Sequence, residues 1–268
     1  MNHNRPIDPA ALPLLETRPH GRTCPAMTDE TETQETPKPK RFYESAKPEQ
    51  IPGGWTVELD GRSIKTPARV ALKLPTEKLA KAVAAEWNAQ DAEIDLMSMH
   101  LTRLANVAID RVPETRYEMA DELARYCETD LVCHIAEEPE ELAELEEAHW
   151  APLRAWAGQA LDVILVPVEG IIASPQPDAS LEAARTYALG LDDFALTGLL
   201  FGCGLYGSAV LAMAVVEGEL TATDAFEVAR IDEAWQAQHW GEDDEAKAAT
   251  ALRRIEAKAL ETWLVGLG

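Results

Sequence analysis

Leu196–Val216, LTGLLFGCGLYGSAVLAMAVV, carries no charged side chain over a length that one membrane-crossing helix would need. A run like this belongs either in a bilayer or in the middle of a folded core. Two features place it in a core. Gly198, Gly202, Gly204 and Gly207 interrupt it, and its flanks are acidic (Asp192, Asp193, Glu217, Glu219) rather than rich in Lys or Arg. The run therefore reads as two short helices packed closely through their glycines, with no membrane span. The rest of the chain must then supply the elements that enclose it.

The chain has 268 residues, of which 46% are hydrophobic, enough for one large or two small domains. Residues 1–40 hold seven prolines among polar residues, and TDETETQETPKPK has no apolar period, which predicts a disordered arm. Met27 is an alternative start. Order is expected from Arg41: RFYESAKPEQ is strand-like, PGGW turns the chain, and WTVEL-Asp60-Gly61-RSIKT reads as a hairpin. ARVALKLP alternates Val70, Leu72 and Leu74 as a further half-buried strand. Thr76 can cap a helix with Leu79, Val83 and Trp87 on its inner stripe. Trp87 is thus assigned a structural role.

From Met99 helices dominate. Leu101, Leu104, Ala105, Ala108, Ile109 and Val112 form a stripe that Pro113 ends, with Arg103, Asn106 and Asp110 opposite. A helix over Tyr117–Glu128 follows, with LVCHI (131–135) and DVILVPV (162–168) as short strands and an acidic helical stretch between them. Thr223 is expected to cap the helical C-terminal region, which breaks at Gly241. The fold class is α+β: a small N-terminal α+β domain with antiparallel hairpins (41–98), then a larger, mainly α-helical domain (99–268).

The net charge of −23 excludes partners that need a basic face, such as nucleic acid or an anionic membrane. Cys24, Cys127, Cys133 and Cys203 show no CxxC spacing, so neither a zinc knuckle nor a redox motif is indicated. With no apolar h-region at the N-terminus and no Arg-rich, acid-poor transit segment, the expectation is a bacterial, cytoplasmic protein. Phosphate loops, GxSxG and GxGxxG after a strand are all missing. Glu146-x-x-His149 matches half of a di-iron pair but has no second copy, and Cys127, Cys133 and His134 read as core filler. No metal or cofactor is expected. A carboxylate/His metal-dependent or acid–base enzyme and a membrane-associated assembly factor are the competing classes.

Ile231–Ala246, IDEAWQAQHWGEDDEA, stands apart. At helical spacing Phe226, Ala229, Glu233, Gln236/Ala237 and Trp240 fall on one stripe, which makes Glu233 a carboxylate where a packed helix carries Leu or Val. Such a position needs either an internal partner, such as Arg103, or a role in recognising another polypeptide. The second reading makes Glu233 the contact residue, with Asp232, Gln236, Trp240 and Glu245 in support.

Six blocks, in order, are similar to the ATP synthase F(1) assembly chaperones: LDGRSIKTPA (59–68), LPTEKLAKAVAAEWNAQ (74–90), LTRLANVAID (101–110), DLVCHIAEEP (130–139), GSAVLAMAV (207–215) and DEAWQAQHWGEDDEA (232–246). Leu96 and His100 stand where that family shows prolines, and His134 where it tends to show Tyr. The resemblance implies the same two-part fold and no catalysis, nucleotide or metal. It also implies a monomeric chaperone that binds unassembled ATP synthase alpha subunit and prevents its aggregation.

Overall fold

The structure is a computed structural model that describes residues 38–268 apart from Ile171. The expected disordered arm, Met27 and Cys24 lie outside the described residues, save for the arm's last three positions. Three antiparallel strands come first: β1 (Ala46–Ile51), β2 (Gly54–Leu59) and β3 (Arg62–Ser63), in the order β1-β2-β3. Asp60 and Gly61 join β2 to β3 with φ of 47° and 79°, the paired positive φ values of a tight hairpin turn.

The strand expected over ARVALKLP does not form. Leu72 and Leu74 are buried, but only isolated bridges, Lys65 to Ala71 and Trp55 to Leu74, tie the segment to its neighbours. A turn intervenes: Thr66 N–H donates to Val70 O, Arg69 N–H to Thr66 O, and Arg69 sits at φ 66°. That turn breaks the alternation and leaves Val70 exposed.

Helix α1 (Glu77–Asn88) starts at Thr76, whose side chain accepts from Leu79 N–H, and buries Leu79 and Val83. Trp87 is half-buried, packs on the core and meets the Tyr43 ring edge-on at 5.6 Å. Beside it, Glu86 reaches across to α2 (His100–Asp110). Its carboxylate accepts from Leu101 N–H at 2.7 Å and from Thr102 N–H and Oγ1 at 2.8 Å. Met99, the formal N-cap of α2, supplies no side-chain bond, so Glu86 caps this helix from another element. The proposed division between 41–98 and 99–268 falls just before α2, and the Glu86 cap bridges it.

Pro113 lies in the first turn of α3 (Val112–Glu128), which therefore starts well before Tyr117 and bends at Thr115. The strands expected over 131–135 and 162–168 shrink to β4 (His134–Ile135) and β5 (Val168–Glu169), a parallel pair. Leu131–Cys133 winds into a 3-10 turn because Asp130 accepts from Val132 N–H. Residues 163–167 join no strand, and Ile164 and Val166 bond instead to the Ser180 and Gln176 side chains. Between β4 and β5 runs α4 (Glu140–Leu161).

The uncharged run forms α6 (Asp193–Tyr206) and α7 (Ala209–Val216), after α5 (Asp178–Gly190). Among the described residues no helix is long and apolar enough to cross a membrane. The α6–α7 pair is enclosed by α2, α3, α4, α8 (Ala222–Val228) and α10 (Asp244–Leu267). Helix α8 is capped by Thr221 rather than Thr223. The glycines allow the close approach: a Cβ on Gly198 would stand 3.0 Å from Trp263 Cδ1, and one on Gly202 3.2 Å from Ala212 Cβ. Helix α10 continues to the first helix, where Thr76 Oγ1 donates to Gly266 O and Gly266 lies against Leu79.

Gly198→Ala is expected to cost about 1–3 kcal/mol, because Trp263 is fully buried and cannot yield. Gly190→Ala, which meets nothing within 4 Å, serves as the control, and urea unfolding compares them. Equal stability of the two variants would remove the close-packing requirement.

Asp130 provides a pH signature. It is fully buried, accepts from Val132 N–H and Val210 N–H, and burial pushes its carboxyl up to about 6 from 3.8. Between those values the folded chain holds a proton that the unfolded chain releases. Its contribution is therefore complete below pH 3.8 and falls as pH rises through about 6, by on the order of 3 kcal/mol. Chemical unfolding across this window should show that slope, and Asp130→Asn should flatten it.

Candidate functional site

Helix α9 (Ile231–Trp240) is held by one buried residue, Ile231, and presents most of its remaining surface to solvent. The continuous core stripe expected from Phe226 to Trp240 is not present. Phe226 and Ala229 are buried, but Arg230 leaves helical geometry at φ −115°, ψ 24°. Helical phase is reset there, so Glu233, Gln236 and Trp240 emerge on the surface, with Trp240 74% exposed. Asp232 and Glu233 lie in the first turn, where the helix dipole favours acids.

Gly241, at φ 83°, ends α9, and Asp243 caps α10 by accepting from Ala246 N–H at 2.7 Å. The elbow between the two helices encloses an open cleft of about 250 Å³. Glu233, Gln236, Ala237 and Trp240 line it from α9, and Glu242, Asp243 and Ala246 from the elbow and α10. Arg230 closes one side and approaches Glu242 at 4.0 Å. Trp235 stacks on His239 at 3.8 Å and meets Trp240 edge-on at 5.5 Å, which braces the exposed indole. The cleft is thus an acidic, aromatic-walled recess with one guanidinium already facing a carboxylate.

Of the five residues singled out in the sequence, the structure brings Glu233, Gln236 and Trp240 into this cleft. Asp232 is half-buried, accepts from Gln236 Nε2 at 2.7 Å, and adds its charge to the burial that raises the Glu146 carboxyl of α4. Glu245 is exposed on the first turn of α10 and does not line the cleft. The alternative of a buried Glu233–Arg103 pair fails, because Glu233 is exposed and Arg103 donates to Met97 O. Arg230 and Glu242 were not singled out in the sequence. Their shared cue is that each directly flanks α9, where a break at Gly241 can turn the chain back.

The enzyme-like cues do not converge. Glu146 turns inward to accept from Ala136 N–H at 2.7 Å, while His149 is exposed with its ring on Leu145 O. Cys127, Cys133 and Cys203 are buried, and burial pushes all three thiols up, Cys133 to about 12.

A family model described as ATP12 chaperone protein matches residues 40–158. Atp12 from Paracoccus denitrificans is 38% identical, with a TM-score of 0.79 over 86% of this chain and 99% of that one. The chain belongs to the ATP12 chaperone family. A solved protein from Agrobacterium tumefaciens is 35% identical, with a TM-score of 0.81 over 87% of this chain and 88% of that one. The mitochondrial protein atp12 of Schizosaccharomyces pombe is 24% identical over 239 residues, which is 84% of this chain and 82% of that protein. This ATP12-family member is accordingly a chaperone of ATP synthase assembly, and its α+β architecture is that of the solved relatives.

Proposed function

We propose that this ATP12-family chaperone binds unassembled ATP synthase alpha subunit through the α9–α10 elbow and keeps it from aggregating until a neighbouring subunit takes its place. One observation carries the reading: Glu233, Gln236 and Trp240 converge on one open cleft, with an exposed, braced tryptophan at its edge. A large aromatic held rigid at the surface beside charged groups is the kind of anchor that dominates protein interfaces. Asp232 acts by orienting Gln236, and Glu245 extends the acidic rim. Trp87 and Arg103 have structural roles, consistent with Trp87 packing beneath Tyr43 and Arg103 closing the turn before α2. The chain works as a monomer, as a binding protein rather than an enzyme and without a cofactor. Its place is the bacterial cytoplasm, where the bacterial relatives support the same reading.

Glu233→Gln and Glu233→Lys test this. Position 233 is solvent-facing, so the melting temperature of both variants should stay near that of the parent chain. Binding to isolated alpha subunit should weaken, by at least about tenfold for Glu233→Lys, and protection from aggregation should fall with it. Unchanged protection by both variants would move recognition away from the elbow.

A further inference from the structure

Three carboxylates, Glu233, Glu242 and Asp243, line the elbow cleft against one guanidinium, that of Arg230. Asp243 accepts from Ala246 N–H and so answers the positive start of α10. Glu233 is exposed and forms neither an ion pair nor a side-chain hydrogen bond among the described residues. The C-terminal end of α9 meets the same cleft, because Trp240 and Gly241 line it. There the carbonyls of Gln238, His239 and Trp240 accept no hydrogen bond among the described residues. Such a helix end carries partial negative charge and draws cations. The cleft thus holds unmatched negative charge from two independent sources, a helix terminus and carboxylates, beside an indole that is 74% exposed. Carboxylates beside an aromatic wall suit a guanidinium, which bonds in its plane and packs flat on a ring.

That group is already present in a loosely held form. Arg230 reaches Glu242 only at 4.0 Å, well beyond the about 2.7–2.9 Å of a charge-assisted hydrogen bond. Its guanidinium donates no hydrogen bond among the described residues and lies over the Phe226 ring at 5.5 Å. Arg154, by contrast, donates to Glu147 at 2.6 Å and to Val132 O at 2.5 Å. Arg230 therefore occupies the cleft without satisfying it, and its removal leaves Glu242 and Glu233 facing an empty recess.

We propose that the elbow cleft receives one arginine side chain from outside the chain, and that Arg230 is its internal competitor. The incoming guanidinium pairs with Glu242 and Glu233 and lies against Trp240, while Arg230 withdraws onto Phe226. Resting on the reading of the elbow as the client surface, that arginine belongs to the alpha subunit. Arg230 then sets a threshold: a cation that binds no better than the resident guanidinium does not dislodge it, which protects the cleft from scattered basic surfaces.

The probe is N-acetyl-arginine amide, titrated into the full isotope-labelled chain and followed by NMR at the Trp240 indole N–H and the amides of 231–246. N-acetyl-citrulline amide, of nearly the same shape and without charge, is the paired ligand. Saturable shifts with the arginine amide and none with the citrulline amide are expected. Arg230→Met removes the competitor but keeps a stem over Phe226, and it should tighten binding about threefold or more. Arg230→Gln repeats that test with a second side chain. Glu233→Gln should weaken binding at least about threefold, whereas Glu118→Gln, on an exposed site elsewhere, should leave it unchanged. Arg230→Met should also bind isolated alpha subunit more tightly. Shifts that never saturate, an equal response to the citrulline amide, or binding that neither Arg230 variant tightens would overturn the proposal. So would equal weakening by Glu118→Gln and Glu233→Gln, which reduces the effect to diffuse charge attraction. If the arginine amide binds as described but Arg230→Met and Glu233→Lys leave alpha-subunit binding unchanged, the cleft keeps its ligand class and the elbow loses the client. If client binding depends on Glu233 while the arginine amide does not bind, only the guanidinium site falls.

Discussion

Burial of the uncharged α6–α7 pair is the constraint from which the rest of the molecule follows. These two helices cannot face water, and glycine at 198 and 202 lets neighbours approach to contact distance. One of these neighbours is α10, whose Trp263 stacks on Phe194 and donates to its carbonyl at 3.0 Å. Arg253, further up the same helix, donates to the carbonyls of Gly204 and Leu205 near the end of α6. Glu261 accepts from Thr223 at the start of α8, and Arg254 pairs with Glu227 at 2.7 Å. Helix α10 is therefore fixed along most of its length by groups that serve the core.

That fixation gives the α9–α10 elbow its character. The first turn of α10 projects past the packed region, and α9 joins it through Gly241 with only Ile231 buried. A helix with so little burial contributes little to folding, so its side chains are free to serve recognition. Trp240 remains exposed because the fold has no inward face to offer it, and Trp235 and His239 hold it in one orientation. Rigid aromatics lower the entropy lost on binding, which suits a chaperone that must take up and release its client.

Much of this was legible in the sequence, for identifiable reasons. The Asp60-Gly61 turn, the Thr76 cap and the two-helix reading of 196–216 rest on local rules that nothing distant overrides. The errors arose where a distant or irregular feature took control. Arg69 at positive φ ended a strand pattern that Val70, Leu72 and Leu74 continue on paper. Side chains of Ser180 and Gln176 took the bonds of a strand in 163–167, which alternation alone does not reveal. Glu233 was singled out by a stripe that the structure does not keep: the pattern placing it in the core does not survive the break at Arg230. The Glu86 cap on α2 lies at a sequence distance that no local pattern records.

The most direct measurement is a hydrogen-exchange footprint of the chain alone and with isolated alpha subunit. Protection concentrated in 231–246, with Trp240 and its neighbours slowed and the buried α6–α7 amides unchanged, is the expected result. Client binding that leaves 231–246 exchanging as in the free chain would contradict the assignment of the elbow as the recognition surface.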